Sequence, residues 1–133
     1  MIEEICRKLY LANHSLSLIV IDYLQLIIFE ISKKDKVREI VDILKTLKQL
    51  ALELNVPIII TSQLPRFIDE REDKRPIITH LENCGTSFYY HKVLFLYKDN
   101  KNNIKIEVAK NKDVSHKIID LSFNREKLIF EEK

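Results

Sequence analysis

The sequence predicts an α/β fold with a parallel core sheet, flanking helices and a C-terminal extension of antiparallel hairpins. Two short apolar runs, LIVID and IIIT, have the composition of strands that are buried on both faces of a sheet. A helical repeat of about five turns separates the two runs. The last part of the chain alternates apolar and polar residues, as hairpin strands do. With 133 residues, the chain fits one domain.

The first residues predict a short helix followed by a strand. Ile2, Ile5 and Leu9 recur at three- and four-residue spacings, which is typical of an amphipathic helix. Residues 18–22 form a continuous apolar run that is β-branched at its centre and ends in a carboxylate. We therefore expect a buried strand with an acidic side chain at its carboxyl end.

Residues 36–55 give the clearest helical signal in the chain, because their apolar side chains recur every three or four residues. Asn55 and Pro57 indicate the end of that helix, and residues 58–61 predict a second buried strand. The order strand, helix, strand predicts a βαβ unit, whose crossover we expect to be right-handed.

The remainder of the chain predicts a long loop and then hairpins. Residues 63–87 are polar and contain two prolines, so we expect a surface loop with one helical turn near residues 79–82. A third apolar strand is predicted at residues 93–97. Apolar segments after it, at residues 104–108, 118–123 and 128–130, predict antiparallel strands joined by turns.

Composition limits the chemistry of these residues. Gly85 is the single glycine, and both the P-loop and the dinucleotide fingerprint need several glycines to wrap a phosphate. Two cysteines do not make a disulfide framework, and the four histidines show no metal-ligand spacing. The two cysteines are most simply reduced thiols, so we expect an intracellular protein. No apolar run approaches the roughly 18–20 residues of a membrane helix, so we expect no membrane span. The sequence is rich in Ile, Lys and Asn, which have AT-rich codons. This bias predicts a protein of a plastid or another organelle with an AT-rich genome, and the alternative is a cytoplasmic protein.

Polar residues follow the predicted parallel strands, where α/β sheets collect their ligands. Asp22 closes the first strand in the Walker B arrangement, in which a carboxylate holds the water shell of a Mg²⁺. Gln63 follows the second strand and has an amide suited to orienting a γ-phosphate. Tyr97 and Lys98 end the third. The alternatives are an aspartate that caps a turn and a glutamine bonded to nearby backbone.

Two further segments are candidates for phosphate contacts. The loop at residues 66–75 contains four basic side chains, but four acidic ones are interleaved with them, so a self-paired, solvated loop is the simpler interpretation. The hairpin at residues 105–117 is basic and has the same two interpretations. An aromatic run at residues 88–90 suits base stacking or ordinary packing.

Five segments, taken in order and spacing, resemble one known family. They are LSLIVIDYLQLI, LKQLALELNVPIIITSQLPR, DKRPIITHLENCG, VLFLYKD and IEVAKNK. They resemble the C-terminal motor domain of DnaB-type replicative DNA helicases. The resemblance implies a RecA-like fold that assembles as a hexameric ring around single-stranded DNA. It also implies hydrolysis of ATP, with Mg²⁺, between subunits.

The resemblance implies four residues at the nucleotide. Asp22 matches the Walker B aspartate that helps to hold Mg²⁺ through water, and Gln63 matches the glutamine that senses the γ-phosphate. Lys110 matches a hairpin lysine that projects toward the neighbouring subunit's nucleotide, and Lys112 stands where the family has its arginine finger. Lysine lacks the planar fork that binds phosphate at two points. An arginine finger contributes ~10³–10⁵ in rate in phosphoryl-transfer enzymes.

The resemblance implies two DNA contacts as well. Arg66, after the proline of SQLPR, matches an arginine that contacts DNA phosphate. Gly85 falls in the loop that offers backbone N–H groups to the strand in the pore. The family has RESG in that loop and this chain has ENCG. An acidic residue in place of a basic one weakens phosphate binding.

By this resemblance, residues 1–133 correspond to the family's motor from the Walker B strand onward, without its Gly-rich phosphate loop. One hypothesis is a helicase-like protein that unwinds DNA with ATP in DNA replication once a companion chain supplies the phosphate-loop half. The alternative is a non-catalytic truncated remnant, or an interaction module that docks on a helicase or on DNA. On either hypothesis we expect the isolated chain to hydrolyse no ATP, and its monomer to be marginally stable or self-associating.

Overall fold

The computed structural model describes residues 2–13, 16–27, 36–82, 87–111 and 116–133. The chain forms two compact units. The first comprises Met1–Gln63 and Cys84–Tyr89, and the second comprises Leu64–Asn83 and Tyr90–Lys133. Among the described residues, no helix combines the length and the apolar character that crossing a membrane requires.

The first unit contains the predicted helices and parallel strands. Its elements are α1 (Ile2–Asn13), β1 (Ile19–Ile21), α2 (Leu24–Ile27), α3 (Lys36–Leu54), β2 (Ile58–Ile60) and a 3₁₀ turn (Ser87–Tyr89). β1 and β2 pair in parallel, with Ile19 opposite Ile58 and Ile21 opposite Ile60. This pairing confirms the predicted strand–helix–strand unit, and α2 is a short addition that apolar spacing alone did not reveal.

The core of the first unit forms along one face of α3. The buried positions of this helix are Ile40, Leu44, Leu47, Leu50 and Leu54. Their three- and four-residue spacing places them on one side, as an amphipathic helix requires. Leu50 and Leu54 pack with Cys6 of α1, Ile19 of β1 and Val56. Helix α1 therefore shares a core with α3 and with the parallel strands.

Asn55 ends α3 with a left-handed residue. Its φ is 53°, and its N–H donates to the Leu52 carbonyl at 3.4 Å. The N–H of Val56 donates to the Ala51 carbonyl at 3.1 Å. These two bonds form a Schellman motif, in which asparagine is the common alternative to glycine. The motif turns the chain from the helix directly into β2.

The second unit is built on one antiparallel sheet. Its elements are a 3₁₀ turn (Arg66–Ile68), α4 (Thr79–Glu82), β3 (Lys92–Lys98), β4 (Ile104–Asn111), β5 (Lys117–Asn124) and β6 (Ile129–Glu132). The strand order is β3-β4-β5-β6, with all neighbours antiparallel. The predicted hairpins and the helical turn near residues 79–82 are confirmed, and the 3₁₀ turn was not predicted.

The third apolar strand differs from expectation in its partners. β3 pairs antiparallel with β4 in this second sheet, and not with the parallel strands. Val93 and Phe95 are buried, whereas Leu94 is 57% exposed and Leu96 is 50% exposed. The strand thus alternates between a covered and an open face, which is the behaviour of antiparallel sheets.

Candidate functional site

The candidate site lies at the carboxyl edge of the two parallel strands. Asp22 follows β1 directly, and Thr61 follows β2 directly. Because Ile21 and Ile60 are opposite each other in the ladder, the next residue of each strand reaches the same edge. The hydroxyl of Thr61 donates a hydrogen bond of 2.5 Å to Asp22 Oδ1. The carboxylate is thereby oriented by its neighbouring strand.

Backbone hydrogen bonds continue the pairing past the ends of the strands. The N–H of Thr61 donates to the Ile21 carbonyl at 3.0 Å, and the N–H of Leu24 donates to the Thr61 carbonyl at 2.9 Å. The segment that carries Asp22 is therefore joined to the segment that leads to Gln63 by both main-chain and side-chain bonds.

Gln63 lies at the same edge and is held through Gln25 of α2. The Nε2 atom of Gln25 donates to Ser62 Oγ at 2.9 Å and to the Gln63 carbonyl at 3.3 Å. The Gln63 N–H donates in turn to Gln25 Oε1 at 3.4 Å. Sequence reasoning singled out Asp22 and Gln63 but missed Thr61, Ser62 and Gln25. The sequence does show that these three residues are polar and lie close to strand ends. It does not show which residue of the other strand segment each of them would hydrogen-bond.

This edge fits a magnesium ion that arrives with phosphates. Asp22, Thr61, Ser62 and Gln63 are exposed, and Asp22 is the one carboxylate among them. Within the described parts of the chain, no group of three or more His, Cys, Asp or Glu side chains is placed to hold a metal. Mg²⁺ commonly keeps several waters and takes one or two carboxylates together with substrate phosphates. One oriented, exposed carboxylate suits that mode, and not a metal site made of protein ligands alone.

The predicted DNA contact Arg66 begins the 3₁₀ turn Arg66–Ile68 of the second unit. Ile68 is buried and anchors the turn, whereas Arg66 and Phe67 are exposed. Farther along this loop, the Nη1 atom of Arg71 lies 2.9 Å from Nε2 of His80. Burial, together with the charge of Arg71, lowers the pKa of His80.

The loop's last arginine forms its ion pair outside the loop, although the sequence favoured pairing within it. Glu107 of β4 is buried, with 3% of its surface exposed. Arg75 donates to both of its oxygens, from Nε to Oε2 at 2.9 Å and from Nη2 to Oε1 at 3.0 Å. His116 Nε2 lies 2.6 Å from Oε1, and the Tyr97 hydroxyl donates to Oε2 at 3.2 Å.

The protonation of this cluster, Arg75–Tyr97–Glu107–His116, follows from its geometry. Burial alone would raise the pKa of Glu107, but the hydrogen bonds from Arg75 and His116 outweigh it and lower that pKa. Burial and the neighbouring Glu107 charge raise the pKa of Tyr97 to about 12. Glu107 is therefore a carboxylate and Tyr97 a neutral hydrogen-bond donor at neutral pH.

The remaining predicted residues have different outcomes. Lys110 lies on β4 opposite Val93 of β3 and is half-buried. Lys112 and Gly85 lie outside the described residues. Asp22 and Gln63 are thus brought together at one edge, while Arg66 and Lys110 belong to the second unit.

Comparison with known proteins gives consistent matches. A family model for the DnaB-like helicase C terminal domain matches residues 1–132. The chain is 38% identical over 131 residues to the replicative DNA helicase DnaB of Geobacillus stearothermophilus, an alignment that covers 91% of this chain and 29% of that protein. The chain therefore spans less than a third of that relative's length.

Two solved structures have the same fold over nearly the whole chain. One is an ATPase domain, which matches with a TM-score of 0.79 and 29% identity, covering 97% of this chain and 49% of that one. The other is a DnaB-like replicative helicase, solved in a study of its interactions with primase, which matches with a TM-score of 0.78 and 31% identity. That match covers 93% of this chain and 32% of the other.

Proposed function

Because the chain belongs to the DnaB-like helicase C-terminal domain family, we propose that it acts in ATP-dependent DNA unwinding during DNA replication, as the part of a RecA-like motor from the Walker B strand onward. The observation that supports this most is the joining of Asp22 and Gln63 at one sheet edge. Thr61 orients the first, and Gln25 holds the second. The bonds to Gln63 are made by its backbone, which keeps this residue next to the segment that carries Asp22.

In this proposal Asp22 and Gln63 have separate roles toward the nucleotide. Asp22 would hold the water shell of a Mg²⁺ bound to the phosphates, because its carboxylate is exposed and oriented by the Thr61 hydroxyl. The neutral amide of Gln63 would contact the γ-phosphate without adding a charge that repels it. The metal, when bound, supplies charge neutralisation of the phosphate oxygens.

The proposal requires a phosphate loop from outside these 133 residues. Their single glycine cannot form one, and the chain corresponds to 49% of a solved ATPase domain of the same fold. The loop would come either from further residues of the same polypeptide or from a companion chain. We expect the assembled motor to be oligomeric and to bind single-stranded DNA.

The other predicted residues complete the proposal. Arg66 would contact DNA phosphate from its exposed 3₁₀ turn, and Gly85 would offer its backbone N–H to the same strand. Lys110 and Lys112 would reach a neighbouring subunit's nucleotide. Lysine at position 112 gives point-charge contact in place of a two-point fork, so we expect a slower motor than one with arginine there.

Phosphate release tests the proposal. The chain is mixed with Mg-ATP and single-stranded DNA, alone and with a separately purified phosphate-loop half from a relative's motor domain. We expect no turnover for the chain alone, measurable turnover for the mixture that is slower than the about 1–100 s⁻¹ typical of kinases, and its loss with Asp22→Asn. Turnover by the chain alone, or an Asp22→Asn mixture as fast as the original, would contradict the proposed role.

A second candidate function is a non-catalytic interaction module, which the lysine at position 112 favours because it lacks the fork of an arginine finger. On this alternative the chain binds an intact helicase or DNA and changes no chemistry itself. Binding to an intact relative without any turnover in the mixture above would favour it.

The localisation of the protein stays a prediction. The bias toward amino acids with AT-rich codons favours a plastid or another organelle, whereas the relative named above is bacterial.

A further inference from the structure

Gln25 makes three hydrogen bonds to two consecutive residues beyond the end of β2. Its Nε2 atom donates to Ser62 Oγ and to the Gln63 carbonyl, and its Oε1 atom accepts from the Gln63 N–H. Both polar groups of the Gln63 backbone are thus bonded to one side-chain amide. Gln25 is half-buried, whereas Ser62 and Gln63 are exposed.

This arrangement substitutes for the strand pairing that has ended. β2 stops at Ile60, and the last ladder-like bonds are those of Thr61 with Ile21 and Leu24. Within the described parts of the chain, the bonds that hold Ser62 and the Gln63 backbone come from the Gln25 side chain and not from a neighbouring strand. A primary amide has a donor and an acceptor on one planar group, which lets Gln25 act like one more strand residue.

We propose that Gln25 is a positioning residue for Gln63: by holding the Gln63 backbone it fixes where the Gln63 side chain meets the γ-phosphate. The proposal rests on the proposed function for the identity of the ligand. α2 begins two residues after Asp22, so the same short segment carries the carboxylate for the metal and the amide that holds the phosphate sensor. The spacing between the Asp22 carboxylate and the Gln25 amide is thereby set within one short segment of the chain.

The chemistry at position 25 predicts which substitutions preserve the role. Alanine removes all three bonds. Glutamate has the right length and can accept from the Gln63 N–H and the Ser62 hydroxyl, but it cannot donate to the Gln63 carbonyl. We therefore expect Gln25→Glu to be intermediate between the original residue and Gln25→Ala.

The first experiment needs no nucleotide. Backbone ¹⁵N order parameters of Gln63 are measured on the 133-residue chain in the oligomeric state in which it purifies, for the original sequence and for Gln25→Ala. We expect a value near about 0.85 to fall below about 0.6 in the variant, while Ile59 within β2 keeps its value. The matched control is Gln49→Ala, which removes an exposed glutamine from α3.

The second experiment uses the mixture with the phosphate-loop half. Binding of a non-hydrolysable ATP analogue and of ADP is measured, because only the first presents a γ-phosphate. Two hydrogen bonds to the Gln63 backbone are lost in Gln25→Ala, so we expect its preference for the triphosphate to fall by about tenfold. ADP affinity should be unchanged. A merely structural role would weaken both nucleotides alike.

The outcomes separate the two proposals. A rigid Gln63 in Gln25→Ala, or an unchanged triphosphate preference, overturns the positioning role. If the original mixture binds no nucleotide, the proposed function fails, and the order parameter alone then decides whether Gln25 holds Gln63. If the amide signals of β1 and β2 disappear in Gln25→Ala, the variant has not folded and Gln25→Glu is measured in its place. A Gln63 order parameter in Gln25→Glu equal to that of the original sequence would then contradict the positioning role.

Discussion

Among the described residues of the second unit, Glu107 is the buried charged side chain, and three other segments contribute to its surroundings. Arg75 comes from the loop before α4, Tyr97 from β3 and His116 from the residue before β5. A buried carboxylate without partners is costly, whereas one with charged donors is retained. The cluster Arg75–Tyr97–Glu107–His116 therefore ties the loop that carries Arg66 to the sheet that carries Lys110.

Removing the main partner of Glu107 tests this interpretation. In Arg75→Ala the carboxylate loses a two-point, charge-assisted contact but keeps Tyr97 and His116. Arg75 is itself partly exposed, so we expect a loss of about 1–3 kcal/mol in the free energy of unfolding. Chemical denaturation measures it, with Arg125→Ala in the exposed β5–β6 turn as control. Equal stabilities of the two variants would contradict the assigned role of the pair.

The pH dependence of stability has a definite sign at Glu107. The pKa of this carboxyl lies below its ordinary value of 4.5 in the folded chain, so the folded state binds its proton less readily than the unfolded state. Its contribution is complete above about pH 5 and is lost as pH falls through 4.5 and below. Glu107→Gln should flatten this acid-side decrease below about pH 5 and leave the stability between about pH 5 and 7 independent of this group. An unchanged pH profile in the variant would exclude Glu107 as a source.

Among the elements, α3 organises the first unit. Leu50 is 1% exposed and contacts the core that α1 and the parallel strands share. We expect Leu50→Ala to lower the free energy of unfolding by about 2–5 kcal/mol through lost burial and the cavity left behind. Leu52→Ala on the same helix, where the side chain is 67% exposed, is the matched control and should change stability by less than about 1 kcal/mol. Similar losses of unfolding free energy in the two variants would contradict the assignment of Leu50 to the core of this unit.

The sequence predicts the elements better than it predicts their partners. The spacing of Ile40 to Leu54 and the β-branched runs are local signals, and they identify α3, β1 and β2 correctly. β3 was misassigned to the parallel strands because an apolar run does not state whether its neighbour is parallel or antiparallel. Pairing is decided by contacts distant in sequence.

The same limit applies to the candidate site. Asp22 and Gln63 were predictable because each follows a strand. Thr61 and Gln25 were not, since their hydrogen-bond partners are 37–39 residues away. In the sequence, Glu107 has the pattern of an ordinary charged residue on a hairpin. Its burial was not predictable because its partner Arg75 lies 32 residues earlier in the chain.

At the scale of the whole molecule, both units leave apolar strand faces open. Val20 and Ile59 are adjacent in the parallel ladder and are 58% and 52% exposed. In the antiparallel sheet, Leu94 and Leu96 of β3 are exposed on one face, and Phe130 of β6 is exposed as well. Exposed apolar faces and unpaired strand edges promote association.

We therefore expect the isolated chain to self-associate. Sedimentation at rising protein concentration should show a weight-average mass that increases above 15.8 kDa, and addition of the phosphate-loop half should reduce this self-association in favour of a mixed complex. A dilute monomer with a sharp, reversible thermal transition would show instead that these 133 residues bury enough of their own surface.

In the proposed function, the edge formed by Asp22 and Gln63 faces a metal–nucleotide complex. Replacing Mg²⁺ by paramagnetic Mn²⁺ in the mixture with ADP and the phosphate-loop half tests it most directly, because Mn²⁺ broadens the NMR signals of nearby nuclei. We predict that the amide signals of Asp22, Thr61 and Gln63 broaden only when Mn²⁺ and nucleotide are both present, and that Asp22→Asn weakens the effect. Signals at this edge that stay sharp with nucleotide and Mn²⁺ bound would contradict the account.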